Sequence, residues 1–248
     1  MEYNRNKIVE KIVSWKGAKR GSEAHKHIID IYNSINPLPN GYRVSYKDAW
    51  CAATVSACFH DVGYDGLIPY SASCNDMINK AKKMGIWIED DSYIPSKGDV
   101  IMYDWQDSST NYFQTDCTGQ AEHTGIITAV STQYITVYEG NMGSNSILGE
   151  RRIQINGRYI RGFITPKYDG IPAKPTPSTP KRPTLKKGSS GSDVEYLNNQ
   201  LRKLKYGCSG SVYNDVTEKC VINFQAVNRL VIDGICGPKT WELIEKIK

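Results

Sequence analysis

The chain has 248 residues, of which 40% are hydrophobic and 23% charged, so it is long enough for one full-sized globular domain and a small second one. Its net charge of +5 is modest and is not gathered into a basic block interleaved with aromatic residues, so nucleic acid is not an expected partner. The seven cysteines form an odd set without a close CxxC pair, which argues against a zinc site and a full disulfide framework and predicts mostly free thiols.

Five of the first eleven residues are charged, where a signal peptide needs an apolar core, and no later apolar run approaches the length of a membrane span. We therefore expect a protein that is made and folded in the cytoplasm. Apolar side chains at helical spacing predict helices over Lys7–Trp15 and Ala24–Ile35. His25 and His27 lie two residues apart on the second helix and point to different faces, so we expect packing or surface roles and not a metal pair.

A third helix is predicted to begin near Cys51. The thiol would then lie against unpaired backbone N–H groups at the positive end of the helix, which favours a thiolate. A free cysteine is usually a small buried hydrophobic residue, and Cys58 fits that description. Cys51 follows Asp48 and an aromatic residue at the helix start, where a side chain can face a cleft, and it is our candidate nucleophile. A further helix is predicted over Ser73–Met84.

After the turn that contains Gly98, the spacing of hydrophobic residues is no longer helical. Short segments rich in β-branched and aromatic residues, separated by turn residues, predict five strands: Asp99–Trp105, Gly125–Ser131, Tyr134–Gly140, Glu150–Ile155 and Ile160–Thr165. Helices followed by an antiparallel sheet predict an α+β domain. The long polar segment Gln106–Glu122 is expected to be a functional or mobile loop.

The second and third predicted strands form a hairpin whose open end carries polar residues. Pairing Val130 with Tyr134 across a three-residue turn places His123 opposite Asn141, with Glu139 on the diagonal. An imidazole, a carboxylate and a carboxamide would then meet at one end of the hairpin. A pairing shifted by one residue, or simple capping of strand ends, remains the alternative at this point.

Four stretches occur in the order of the motifs of a known family: Trp50–Ser56, Gly98–Ile101, Glu122–Ile127 and Tyr138–Asn141. They resemble the CHAP domain, a family of cysteine- and histidine-dependent amidohydrolases and peptidases that cut peptidoglycan. The resemblance covers roughly residues 1–165 and implies a papain-like fold with Cys51 as nucleophile and His123 as its base. It also implies that Glu139 orients the histidine and that Asn141 is the family's additional polar residue.

The chemistry requires these residue types independently of the family. A thiolate that cleaves an amide needs an imidazolium partner that protonates the leaving amine, and a third group must orient that imidazole. The backbone N–H of Cys51 is a candidate oxyanion donor. Some CHAP members carry an Asp-rich calcium loop before the nucleophile, whereas Asn40–Asp48 contains one acid together with an Arg and a Lys. We therefore expect no calcium there, and we predict no metal or cofactor.

The C-terminal part of the chain differs in composition. Six of the eleven prolines lie in residues 166–183, which predicts an extended linker, with an ordered loop as the alternative. Residues 184–248 then carry three helical patterns. Ser192 is predicted to cap the first, Phe224 lies in the second, and Pro238 begins the third, so a small three-helix module is expected.

Three stretches of this module resemble the peptidoglycan-binding domain type 1: Gly191–Val194, Asn223–Gln225 and Ile232–Trp241. The segment Ser211–Asp215 departs from the family's usual turn, so ligand-contact residues are not assigned. Pairing among Cys208, Cys220 and Cys236 is left open, because three cysteines allow more than one disulfide.

These features together predict a hydrolase of bacterial peptidoglycan with a catalytic domain (1–165), a linker (166–183) and a wall-binding domain (184–248). A peptide endopeptidase is the preferred reading, and an N-acetylmuramoyl-L-alanine amidase is the alternative. A non-catalytic wall-binding protein is the rival class. A phage endolysin that acts on the wall after release is favoured over a bacterial autolysin, and the oligomeric state is left open.

Overall fold

A computed structural model describes residues 3–90, 93–105, 119–155, 157, 159–169, 182–228 and 230–245. Most of the predicted loop Gln106–Glu122, together with Cys117, lies outside the described residues. The same is true of residues 170–181, which form most of the predicted linker. No helix in the described ranges is both long enough and apolar enough to span a membrane.

Within the described ranges, four α-helices come first, six strands follow, and three α-helices come last. The first four helices are α1 (Arg5–Ser14), α2 (Glu23–Asn33), α3 (Cys51–Asp61) and α4 (Cys74–Lys83). The strands are β1 (Trp87–Ile88), β2 (Val100–Tyr103), β3 (His123–Val130), β4 (Tyr134–Met142), β5 (Ile147–Gln154) and β6 (Ile160–Ile164). The last helices are α5 (Ser192–Lys203), α6 (Asp215–Val227) and α7 (Pro238–Ile244). The predicted α+β class is confirmed.

The six strands form one antiparallel sheet in the order β1-β6-β2-β3-β4-β5. The short strand β1 was not predicted from the sequence. Helix α3 packs on β3 and β4, and its residues Cys51–Phe59 are all buried. A helix that is apolar on every side belongs in the interior, so α3 is the central helix of this domain. The sheet therefore holds β3 and β4 directly against the helix that carries Cys51.

Glycine at position 140 permits the close approach of β4 to α3. A Cβ atom placed on Gly140 would overlap the hydroxyl group of Thr54 and would lie 3.1 Å from Cε3 of Trp50. Both contacts involve buried side chains at the start of α3. A larger residue would therefore push the strand away from the helix.

The pairing of β3 with β4 follows the predicted register only near the functional end of the hairpin. Ile126 pairs with Tyr138, as the prediction requires. Val130, however, pairs with Ile135 and not with the predicted Tyr134. A bulge between these two pairs inserts one extra residue, which shifts the register along the rest of the hairpin.

The first domain continues beyond the predicted boundary at Thr165. Tyr168 is buried, and its hydroxyl donates a hydrogen bond to the carbonyl oxygen of Gly98 at 2.8 Å. The backbone N–H of Asp169 donates to the carbonyl oxygen of Tyr3, and its carboxylate accepts from the Tyr3 N–H at 2.6 Å. The first domain therefore extends at least to Asp169.

The C-terminal helices enclose a separate core of apolar side chains: Leu185, Val194, Leu197, Leu201, Cys208, Tyr213, Cys220, Val221, Phe224, Cys236, Trp241 and Ile244. Arg182 and Pro183 already belong to this domain. Pro183 accepts a hydrogen bond from the Trp241 indole at 2.8 Å, and Arg182 pairs with Asp193 and Glu245. The predicted three-helix module is therefore present.

Two sequence features of this module have structural explanations. Gly191 and not the predicted Ser192 occupies the cap position of α5, and its φ of +116° is a conformation that favours glycine. The buried carboxamide of Gln225 donates to Asp233 at 2.7 Å and accepts from the Gly234 N–H at 2.9 Å. The glutamine and aspartate of the quoted motifs thus hold the loop before α7.

Candidate active site

Three predicted site residues, Cys51, His123 and Glu139, lie on adjoining elements. Cys51 is the first residue of α3 and His123 is the first residue of β3. Glu139 lies on β4, and its Oε2 is 3.0 Å from His123 Nε2. Cys51 is 6% exposed, His123 8% and Glu139 0%, so the group is largely shielded from water.

The environment of Cys51 favours its thiolate. A hydrogen bond from Cys74 is the largest influence and lowers the pKa of Cys51, whereas burial opposes it. The imidazole of His123 and the backbone N–H of Ala52 lower this pKa further, so the net shift is well downward. The position of Cys51 at a helix N-terminus acts in the same direction.

The environment of His123 favours its protonated form. Burial alone would lower the pKa of His123, but hydrogen bonds and charges from Cys51 and Glu139 more than offset it and raise the pKa to about 9. Since Nε2 faces Glu139, Nδ1 is the ring nitrogen left for the thiolate. Both shifts therefore favour a pair made of a thiolate and an imidazolium.

Arg151 on β5 completes this row of charges and was missed in the sequence analysis. Its Nε donates to both carboxylate oxygens of Glu139, at 2.9 and 3.0 Å. The Arg151 guanidinium also lies over the rings of Tyr103 and Trp105. Arg151 pairs with Val137 and is thus diagonal to Glu139, so extending the predicted hairpin by one strand would have found it.

Asn141 does not join His123 as the pairing had predicted. Its Oδ1 accepts hydrogen bonds from Arg20 at 2.7 Å and from Ser146 at 2.6 Å. The Ser146 hydroxyl in turn accepts from the Trp50 indole at 2.9 Å. Asn141 has a φ of +60°, and this left-handed residue breaks the alternation of the strand. Its side chain therefore supports the residue that precedes the nucleophile.

Cys74 is the second neighbour that the sequence analysis missed. It is the first residue of α4, and its Sγ lies 4.0 Å from Sγ of Cys51. The hydrogen bond with Cys51 raises the pKa of Cys74, and burial raises it further. Cys74 therefore stays a thiol that donates to the thiolate. The sequence offered one indication of this role, because Cys74 lies at the start of the predicted helix Ser73–Met84, as Cys51 lies at the start of its own helix.

The segment that leads into β3 is held by α4. Asn75 donates to the carbonyl oxygen of Ala121 at 3.1 Å and accepts from the Ala121 N–H at 2.9 Å. This reciprocal pair ties the residues just before His123 to the helix that carries Cys74. These two hydrogen bonds thus hold the segment before His123 against the N-terminal turn of α4.

Trp105 presents a partly exposed aromatic ring beside His123. Its ring stacks on Tyr103 at 4.7 Å and lies 6.1 Å from the His123 ring, measured between centroids. The side chain is 37% exposed. A substrate that reaches His123 therefore meets an aromatic surface on this side.

A cleft of about 440 Å³ lies between the segments that precede α3 and α4. It is lined by Pro39, Asn40, Tyr42, Asp48, Ala49, Ser71, Ala72 and Ser73. Asp48, the acid of the loop that we expected not to bind calcium, accepts hydrogen bonds from the Tyr42 hydroxyl and the Ser45 N–H. Among the described residues, no group of three or more His, Cys, Asp or Glu could hold a metal ion.

Among the residues that the structure describes, and apart from Cys74, the other cysteines and histidines have structural contacts that do not include Cys51, His123 or Glu139. The six described cysteines are free, and all are buried. His25 packs edge-on against Trp50, with ring centroids 4.6 Å apart, and His27 is exposed. Nδ1 of His60 lies 2.7 Å from Asp65. The predicted packing and surface roles of His25 and His27 agree with these positions.

The arrangement is suited to nucleophilic cleavage of an amide. A thiolate at a helix N-terminus can attack a carbonyl carbon, and the adjacent imidazolium can protonate the leaving amine. The buried carboxylate keeps the imidazole oriented and stabilises its positive charge. Together these groups can carry a reaction through a thioester.

Two family matches cover most of the two folded parts. Residues 41–141 match the CHAP domain family, and residues 190–244 match the peptidoglycan binding domain family. Both resemblances noted in the sequence are thereby confirmed. The first match includes Cys51, His123 and Glu139.

Comparison with solved structures gives only weak similarity. One is a periplasmic domain of the EpsAB fusion protein of the Vibrio vulnificus type II secretion system, at 20% identity over 63% of this chain and 68% of that chain, with a TM-score of 0.26. Another is a peptidoglycan-binding protein from Clostridioides difficile in complex with glutamine hydroxamate, at 19% identity over 68% and 84% of the two chains, with a TM-score of 0.25. These TM-scores are too low to support any argument. No curated protein matches the chain.

Proposed function

From the premise that this chain carries a CHAP domain followed by a peptidoglycan-binding domain, we propose that it hydrolyses peptide amide bonds of bacterial peptidoglycan with Cys51 as nucleophile. The observation that carries the proposal is the buried row of Cys51, His123 and Glu139 at the junction of α3 with the β3–β4 hairpin. The two domains themselves support a cell-wall hydrolase. The residue roles and the bond that is cut are the parts we propose.

The reaction begins with attack of the Cys51 thiolate on the amide carbonyl carbon. The negative oxygen that forms lies near the N-terminus of α3, where backbone N–H groups can stabilise it. The imidazolium of His123 then protonates the leaving amine, and the C–N bond breaks to give a thioester. His123 next takes a proton from water, which attacks the thioester and releases Cys51.

Within this class we propose a peptide endopeptidase. The cleft between the segments that precede Cys51 and Cys74 is lined in part by the amide, hydroxyl and carboxylate side chains of Asn40, Ser73 and Asp48, which suits a peptide strand of the wall. An amidase would cut a bond of the same chemical type with the same residues. The distinction therefore depends on the substrate bound on either side of the scissile bond.

Mass spectrometry of digested walls tests this proposal. Purified walls are incubated with the full chain, and the products are compared with those of the Cys51→Ala variant. New free amines within the stem or cross-bridge are expected from the wild type and absent from the variant. Peptides freed from muramic acid would instead establish an amidase. Walls unchanged by the wild type would refute the hydrolase itself.

We further propose that the enzyme acts as a phage endolysin, which cuts the wall from the inside after release. Expression in a susceptible host, with and without a membrane-permeabilising protein, tests this role. Lysis is expected only when the membrane is opened. Lysis without that partner would contradict the need for release by another protein.

A further inference from the structure

The sulfur atoms of Cys51 and Cys74 face each other across the candidate active site at 4.0 Å. Each residue begins a helix, Cys51 in α3 and Cys74 in α4, and each is 6% exposed. The two positions are 23 residues apart in the chain. The fold therefore brings a second thiol beside the proposed nucleophile, and the cleavage mechanism does not use it as a reacting atom.

The two sulfur atoms are close enough for a bond to be considered. A disulfide has an S–S length of about 2.05 Å, so atoms that lie 4.0 Å apart must approach by about 2 Å. Cys58 on the same helix is differently placed. Its thiol donates to the carbonyl oxygen of Ile8 at 3.6 Å, and burial strongly raises the pKa of that thiol. Cys58 therefore remains an inert thiol.

We propose that Cys51 and Cys74 form a reversible disulfide when the enzyme meets a peroxide, with Cys74 as the resolving cysteine. Oxidation of this cysteine pair is a covalent modification that the proposed hydrolysis does not require. Hydrogen peroxide is small enough to reach sulfur atoms that are nearly buried. The thiolate of Cys51 is the form that attacks peroxide, and the thiol of Cys74 is the nearby second reactant.

The chemistry balances in two steps. The Cys51 thiolate attacks one peroxide oxygen, the O–O bond breaks, and a sulfenic acid and hydroxide are formed. The Cys74 sulfur then attacks the sulfenic sulfur, so that the S–S bond forms as the S–O bond breaks. The departing hydroxide takes the Cys74 proton as water. The sulfur pair is oxidised by two electrons, and one peroxide molecule is reduced to the hydroxide of the first step and the water of the second.

This disulfide would block the nucleophile without destroying it. The expected loss of hydrolysis depends on the proposed function, because it assumes that Cys51 is the nucleophile. Formation of the disulfide does not depend on that function. Without a resolving thiol, a sulfenic acid is open to further oxidation to sulfinic acid, which thiol reductants do not reverse. Cys74 would thus convert permanent inactivation into a state that a dithiol restores.

The test uses the reduced full chain, treated with hydrogen peroxide and then labelled with iodoacetamide, before and after dithiothreitol. Digestion with trypsin and chymotrypsin is needed, because Cys51, Cys58 and Cys74 share one segment without an internal Lys or Arg, residues 48–79. Cleavage at aromatic residues separates Cys74 from the other two. The variants are Cys74→Ala, Cys74→Ser and the matched control Cys58→Ala.

We expect a cross-linked Cys51–Cys74 peptide in the wild type and in Cys58→Ala, with loss of two hydrogen atoms. Dithiothreitol should restore Cys51 labelling at least about tenfold more in the wild type than in Cys74→Ala, where two oxygen atoms are added to Cys51 instead. Equal sulfinic acid in all variants, or a disulfide that includes Cys58, would overturn the proposal. A disulfide that forms in a chain unable to cut walls would refute only the proposed function.

Discussion

Replacement of Glu139 by glutamine tests the proposed proton chemistry most directly. Glu139 is fully buried, and its Oε2 lies 3.0 Å from His123 Nε2. The substitution keeps the shape of the side chain and one acceptor oxygen, and it removes the negative charge. The imidazolium would lose one of the two groups that raise the pKa of His123 to about 9 against the effect of burial.

The direction of the pH effect follows from that charge. Because activity requires a thiolate and an imidazolium, the alkaline limb of kcat/KM is expected where His123 loses its proton, near pH 9 in the wild type. Without the carboxylate, only Cys51 opposes the effect of burial, so the pKa of His123 falls. The alkaline limb should move to lower pH by about one to two units, at about 1.4 kcal/mol for each unit. The maximal rate should fall by about 10- to 1,000-fold, which is less than the loss on removing the nucleophile.

The measurement is kcat/KM on soluble peptidoglycan fragments from about pH 5 to about pH 10. Glu150→Gln is the matched control, because Glu150 also lies on the sheet but forms its hydrogen bonds with Lys16 and Tyr138. Circular dichroism of each variant confirms that it is folded. Full activity of Glu139→Gln with an unmoved alkaline limb would refute the assignment of Glu139 as the partner of His123.

A second substitution in the same row should shift the profile in the opposite direction. Nε of Arg151 donates two hydrogen bonds to the Glu139 carboxylate. The positive charge of the guanidinium therefore offsets part of the negative charge that acts on His123. In Arg151→Met, the carboxylate charge acts on His123 without that compensation, so the pKa of His123 should rise and the alkaline limb should move to higher pH. A shift to lower pH would show that Arg151 mainly positions Glu139 instead.

Further predictions concern the other parts of the chain. Cys51→Ala should reduce wall hydrolysis by about 1,000-fold or more while leaving sedimentation with walls unchanged, and lost binding would contradict this division of roles. Gly140→Ala should lower the free energy of unfolding in urea by about 1–3 kcal/mol, because the new Cβ overlaps Thr54; unchanged stability would show that the strand can move away. Removal of calcium by a chelator should leave activity unchanged, and a large reversible loss would contradict the predicted absence of that ion. A chain ending after Asp169 should fold and keep its activity on soluble fragments while losing activity on intact walls, whereas one ending at Thr165 lacks the buried Tyr168 and should be less stable.

The sequence alone was sufficient for features that depend on local patterns. Local patterns placed the start of α3 near Cys51, where the structure has it, and placed His123 at the entry to a strand that neighbours the strand of Glu139. The pairing near Ile126 followed from the turn length, although a bulge shifts the pairing closer to the turn. These features involve residues that are close in the chain, where backbone geometry leaves few choices.

Only the tertiary structure decided which distant side chains meet Cys51 and Glu139. Cys74 and Arg151 reach the site because the first residue of α4 meets the first residue of α3 and because β5 adds to the hairpin, and neither contact follows from a local sequence pattern. Asn141 has the predicted place in the chain but turns away from His123, since a single left-handed residue redirects the strand. Side-chain direction at such a residue depends on what the rest of the fold packs around it, and the hydrogen bonds from Arg20 and Ser146 stabilise the direction observed.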